Sequence, residues 1–88
     1  MTAPMVIFKK DPAYSPEARA AKYQGTVLLF VEVGADGLAH NIQVKRGLGL
    51  GLDEQAVLAV SQWKFRPGAK DGQPVTVAAN IEVNFRLM

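Results

Sequence analysis

Cysteine is absent from this 88-residue chain, and histidine occurs once, at His40. Without thiols there is no disulfide framework and no thiolate metal site. With a single imidazole, a zinc or other transition-metal centre has almost no ligands to draw on, so no cofactor is expected. A cysteine-free chain suits oxidising and reducing compartments alike. Charge of one sign is also missing: ten Lys/Arg against eight Asp/Glu leave a net +2. That is too little to argue for nucleic acid by itself. Apolar runs fall far short of the ~20 residues that span a bilayer. Met1-Thr2-Ala3-Pro4 lacks a basic stretch followed by an apolar one, so no export signal is read there. Any anchor or signal is expected outside these residues.

What is present describes one small domain. Hydrophobic residues make up 49% and charged ones 20%, a globular and not a disordered balance. Residues 1–4 read as a linker and residues 5–88 as the domain. Met5-Val6-Ile7-Phe8 is a short apolar strand closed by Lys9-Lys10-Asp11-Pro12. Ser15-Pro16-Glu17 starts a helix, with a serine cap, proline at the first position and an acid against the dipole. Its small residues Ala18, Ala20 and Ala21 lead to Gly25 as the expected terminator. Thr26–Val33 is apolar on both faces, the mark of a central strand. Gly34-Ala35-Asp36-Gly37 is a hairpin turn. Leu38–Arg46 returns with Leu38, His40, Ile42 and Val44 on one face. The glycine run 47–51 reads as a flexible connector into a helix over Leu52–Gln62, whose buried stripe is Leu52, Ala56, Ala59, Val60 and Trp63. Ala69–Pro74 reads as a polar turn. Val75–Leu87 alternates longest, with Val75, Val77, Ala79, Ile81, Val83, Phe85 and Leu87 on one face. The β-α-β-β-α-β order predicts an α+β fold, an antiparallel sheet of three to four strands with two helices packed on one face.

Catalytic patterns are sparse, and no enzyme is expected. His40 sits on the expected apolar side of its strand, where a structural role outweighs a catalytic one. Asp53 and Glu54 are adjacent and diverge on a helix, so they suit the helix dipole better than acid–base work. The glycine run places leucine, not glycine, at the sixth position of a dinucleotide fingerprint, and it follows a hairpin instead of opening a parallel unit. No small-molecule substrate is therefore expected. The element order also occurs in RNA-binding sheets, but here the outward face offers Phe30 with Asn41, Gln43, Asn80 and Glu82, a poor stacking platform. What remains is the long last strand, whose unpaired edge is a hazard unless used. Peptide addition and self-association are level on the residues alone.

Read in order, certain residues resemble the C-terminal domain of TonB-family proteins, the periplasmic energy transducers of Gram-negative bacteria. They are Tyr14, Pro16 and Ala18-Arg19; Gly25 with the strand to Val33; Asp36-Gly37, Leu52-Asp53, Ala56 and Ala59-Val60. Trp63-Lys64-Phe65-Arg66-Pro67-Gly68, Gly72-Gln73-Pro74-Val75 and the strand to Phe85 complete the set. The resemblance implies a periplasmic, non-enzymatic adaptor, the soluble end of a protein anchored in the inner membrane. Its implied partners are an ExbB/ExbD-like motor, through an N-terminal part absent here, and the TonB box of an outer-membrane transporter. By position, Val75, Val77, Ala79, Ile81, Val83 and Phe85 carry the peptide edge, mainly through backbone. Tyr14, Trp63 and Phe65 are core anchors or line a docking cleft. Two departures stand out. Ser15 is interposed between Tyr14 and Pro16, and Leu28 and Phe30 replace basic residues of the enterobacterial transducers, which favours a homodimer. The alternative is a structural dimerisation module of a cell-envelope protein with no transport role.

Overall fold

The computed structural model describes residues 1–87 as an elongated body of 49 × 21 × 14 Å. Its centre is a three-stranded antiparallel sheet. The strands are β2 (Gly25–Val33), β3 (Ala39–Arg46) and β7 (Val77–Phe85), in the order β3-β2-β7. As its two apolar faces implied, β2 is central. It pairs with β7 without a break from Gly25↔Phe85 to Val33↔Val77. Helices α1 (Pro16–Ala20) and α2 (Leu52–Val60) close one face. There Val27, Leu29, Val31 and Val33 of β2 meet Ile81, Val83 and Phe85 of β7, with Ala18, Leu52, Ala56 and Val60 from the helices. This is the expected α+β architecture.

Several expectations are corrected in detail. Helix α1 stops at Ala20, and Lys22, not Gly25, takes the left-handed conformation at φ 53°. The Tyr23 N–H then donates to the Ala18 carbonyl and the Lys22 N–H to that of Arg19, a Schellman closure. Gly25 instead opens β2. The alternation of β3 is broken. His40 pairs with Glu32 but Gln43 with Phe30, so β3 carries an extra residue at a bulge where Asn41 has φ 50°. Ala39 and Ile42 therefore pack on the core, while His40 turns to solvent and its Nε2 lies 2.9 Å from the Asp36 carboxylate. Helix α2 ends at Val60, two residues short of Gln62.

The remaining strands form two small ribbons. β1 (Met5–Phe8) pairs not with the central sheet but with β4 (Lys64–Arg66). The segment expected as a polar turn is a hairpin of β5 (Gly68–Lys70) and β6 (Gln73–Val75). Val75 therefore belongs to β6, and the long last strand begins at Val77. A backbone bridge ties Thr2 to Ala69, so residues 2–8 run antiparallel along residues 64–69. The β2–β3 turn docks on β4: the Phe65 N–H donates to the Gly37 carbonyl at 2.8 Å. Gly37 has φ +80°, and a Cβ there would stand 2.6 Å from the Phe65 carbonyl oxygen, so only glycine fits.

The glycine connector is pinned. The Asp53 carboxylate accepts the Leu48 N–H at 2.7 Å and, more weakly, that of Gly49, which engages the amides an anion would need. Ser15 caps α1 by accepting the Ala18 N–H at 3.2 Å, and its hydroxyl donates to the Leu50 carbonyl in that same connector. The interposed serine thus joins the start of α1 to the start of α2.

Candidate functional site: the open edge of the central sheet

Strand β7 is an edge strand by topology. Its one partner is β2, and no strand among the described residues occupies its other side. Every second residue of a strand turns its N–H and C=O to the same side, so nine residues of edge leave a ladder available to an incoming chain. The side chains of this strand alternate between core and surface. Ile81, Val83 and Phe85 are buried and Val77 and Ala79 half-buried, while Ala78, Asn80, Glu82 and Asn84 face out. The alternation read from sequence is thus realised, and β7 lies against the core without lending its outer edge to it.

The three aromatic candidates anchor the surroundings of this edge. The Tyr14 ring meets Phe85 edge-on at 5.6 Å, and its hydroxyl donates to the Tyr23 carbonyl at 2.6 Å. Trp63 is only 4% exposed, and its indole N–H donates to the Lys10 carbonyl at 2.9 Å. Phe65, 5% exposed, stands 6.3 Å from the Trp63 ring. The Lys9 ammonium lies 5.2 Å from the centre of the Trp63 ring, a cation–π contact. Trp63 therefore holds the segment 9–12 in place beside the last strand.

Two adjoining clefts result. One of about 190 Å³ is lined by residues 9–12, Trp63 and Glu82, Val83 and Asn84. The next, about 270 Å³, is lined by Asp11, Pro12, Tyr14, Asn84, Phe85 and Arg86. Sequence reasoning missed residues 9–12 as a wall. The signal available was the Asp-Pro corner after Lys9-Lys10, but nothing in the sequence said which strand that corner would face. An apolar hollow of about 420 Å³ lies elsewhere, where Val44 of β3 meets Val57 and Leu58 of α2. Among the described residues, no three His, Cys, Asp or Glu side chains gather as a metal site, and no helix is long and apolar enough to cross a membrane. The chemistry on offer is an extended backbone edge with shaped clefts at one end.

The chain is 38% identical over 77 residues to Protein TonB of Xanthomonas campestris pv. campestris, covering 86% of this chain and 34% of that protein. It is 33% identical over 84 residues to Protein TonB of Vibrio cholerae serotype O1, covering 94% and 34%. Protein tonB2 of Pseudomonas aeruginosa is 35% identical over 77 residues, covering 86% and 28%. The chain thus spans about a third of the length of these relatives. The fold matches the solution NMR structure of the Pseudomonas aeruginosa TonB CTD at a TM-score of 0.77 and 23% identity, covering 99% of this chain and 89% of that one. The family described as Gram-negative bacterial TonB protein C-terminal matches residues 10–87, from the segment beside the clefts to the end of the last strand. The chain belongs to that family.

Proposed function

We propose that this domain is the transporter-docking end of a TonB-like energy transducer. It binds an extended segment, the TonB box of an outer-membrane transporter, by adding it as a strand along β7. The observation that carries the reading is the open edge of β7 in a chain of this family, flanked by clefts. The binding is non-catalytic. Backbone hydrogen bonds supply affinity, each worth about 1 kcal/mol net, and the flanking side chains supply selection. In this reading the domain works in the periplasm. The parent protein is anchored in the inner membrane and coupled to an ExbB/ExbD-like motor, so that proton-motive force is passed as a pull on the transporter. The residues of the edge are Val77, Ala79, Ile81, Val83 and Phe85 with their outward neighbours, and Val75 contributes from β6.

The test is a titration of isotope-labelled domain with TonB-box peptides from the same genome. Amide shifts are expected from Val77 to Phe85, and their absence at millimolar peptide rejects the reading. An unpaired edge is also self-complementary, so a second copy competes for the same ladder. Sedimentation of the domain alone across a concentration series separates the two occupants, because without peptide only self-association raises the mass as concentration rises.

A further inference from the structure

The four side chains of β1 are apolar, and all are exposed: Met5 60%, Val6 43%, Ile7 64% and Phe8 50%. An apolar strand with one covered edge and no buried side chain is an uncommon expense in so small a domain. Its position gives it a use. At one end of β7, a Cβ built on Gly68 would lie 2.7 Å from the Thr2 carbonyl oxygen, 2.7 Å from Val77 Cγ2 and 3.6 Å from Pro4 Cδ. Thr2 and Pro4 therefore sit beside the start of β7. At the other end, residues 9–12 share a cleft with Glu82, Val83 and Asn84. Thr2 and Pro4 at one end and residues 9–12 at the other thus follow β7 in the same direction, and β1 is the stretch of chain between them.

The pairing of β1 decides which way its side chains face. Val6 lies opposite Phe65, and cross-strand partners share a face, so Val6 projects on the side from which Phe65 enters the core. The register then slips by one residue between Val6 and Phe8, which leaves Ile7 as the extra residue of a bulge. The Phe65 N–H reaches Gly37 in the β2–β3 turn, so β1 lies on the other side of β4, away from that turn.

We infer that β1 is the second wall of the peptide site and selects its ligand, an extended peptide with apolar side chains at alternate positions. This rests on the reading of β7 as the docking edge. A strand added to β7 has two rows of side chains. The outward row continues the surface of Ala78, Asn80, Glu82 and Asn84, which suits small or polar residues. The inward row continues the Val77, Ala79 and Ile81 row over Val6 and Ile7, which suits apolar ones. Selection is thus by period-two polarity and not by one recognised residue. The occupant is a partner's strand: the ladder beside β1 belongs to β7, and the two polarity rows meet only where a chain lies on that ladder.

The experiment uses two capped nine-residue peptides, one alternating valine with glutamine and one with serine replacing each valine. Affinity and β7 amide shifts are measured for the unchanged domain and for Val6→Ser with Ile7→Ser. Both positions are exposed, so the fold is expected to stand, and the dispersed amide spectrum reports it. The unchanged domain should prefer the valine peptide, and the double variant should lose that preference by about tenfold while β7 amides still respond. Unchanged preference with responsive β7 amides overturns the role of β1 and leaves the docking edge intact. No β7 response in the unchanged domain, to these or to transporter peptides, overturns both. Self-association that falls in the double variant, with peptide preference unchanged, makes a second copy the occupant and overturns the inference.

Discussion

Asp36 carries the most legible electrostatics in the molecule. Its carboxyl is held below the ordinary aspartate value of 3.8 by the Leu38 N–H first and by His40 second. A depressed folded value means that the associated stability is present above the unfolded value and is lost as pH falls through the folded one. In acid titrations followed by circular dichroism, Asp36→Ala should therefore show a shallower loss of stability below about pH 4 than the unchanged domain. An identical acid limb in both proteins would show that the turn gains nothing from this carboxylate. Other single residues tie elements together by short polar links. Trp63 spends its indole N–H on the Lys10 carbonyl, so the largest side chain of the core also fixes the wall of a surface cleft. Asp53 closes the glycine connector on itself, converting five flexible residues into a defined entry to α2.

At the scale of elements, the two helices persist for different reasons. Helix α2 buries Leu52, Ala56, Ala59 and Val60 and is held by that packing without a side-chain cap; Gly51 enters it in the left-handed region at φ 80°. Helix α1 has five residues, far below the length at which a helix sustains itself, and buries only Ala18. Its persistence rests on Ser15, which supplies the cap and the link to Leu50. Ser15→Ala should cost about 1–2 kcal/mol in urea unfolding, and Ser15→Thr should retain part of it. A loss below a few tenths of a kcal/mol would show that packing of Ala18 alone holds α1. The strands divide in a similar way. β2 and β7 share an unbroken nine-pair register, whereas β3 carries two register shifts and β1 one. Bulges make an edge less welcoming to a further strand. Of the two edges of the central sheet, β3 is therefore blunted and β7 is left regular.

At the scale of the whole molecule, 88 residues give a narrow margin of stability, on the order of 4–13 kcal/mol. The core is a single layer between one sheet face and two short helices, and Leu29 is wholly buried in it. Leu29→Ala should lower Tm by roughly 10–20 °C in a thermal melt, since about 3 kcal/mol is a large share of that margin. A drop under 5 °C would mean that the sheet repacks around the lost side chain. Much of this molecule was legible in its residues. Local signals act over a few neighbours, so the Ser-Pro helix start, the Asp-Gly hairpin, the two-faced central strand and the alternation of Val77–Phe85 could all be read directly. So could the family, because the order of those signals along the chain is itself a pattern. Other features required three dimensions. The bulge at Asn41 that turned His40 outward, the pairing of β1 with β4, and the fall of residues 9–12 beside β7 all depend on contacts between residues far apart in sequence. Sequence by itself determined that a regular, alternating last strand exists, because alternation is a property of neighbouring side chains. Only the tertiary structure decided that, among the described residues, one edge of it takes no partner strand and that residues 9–12 fall beside it. Which edges pair is settled by the packing of the whole chain and not by any segment of it.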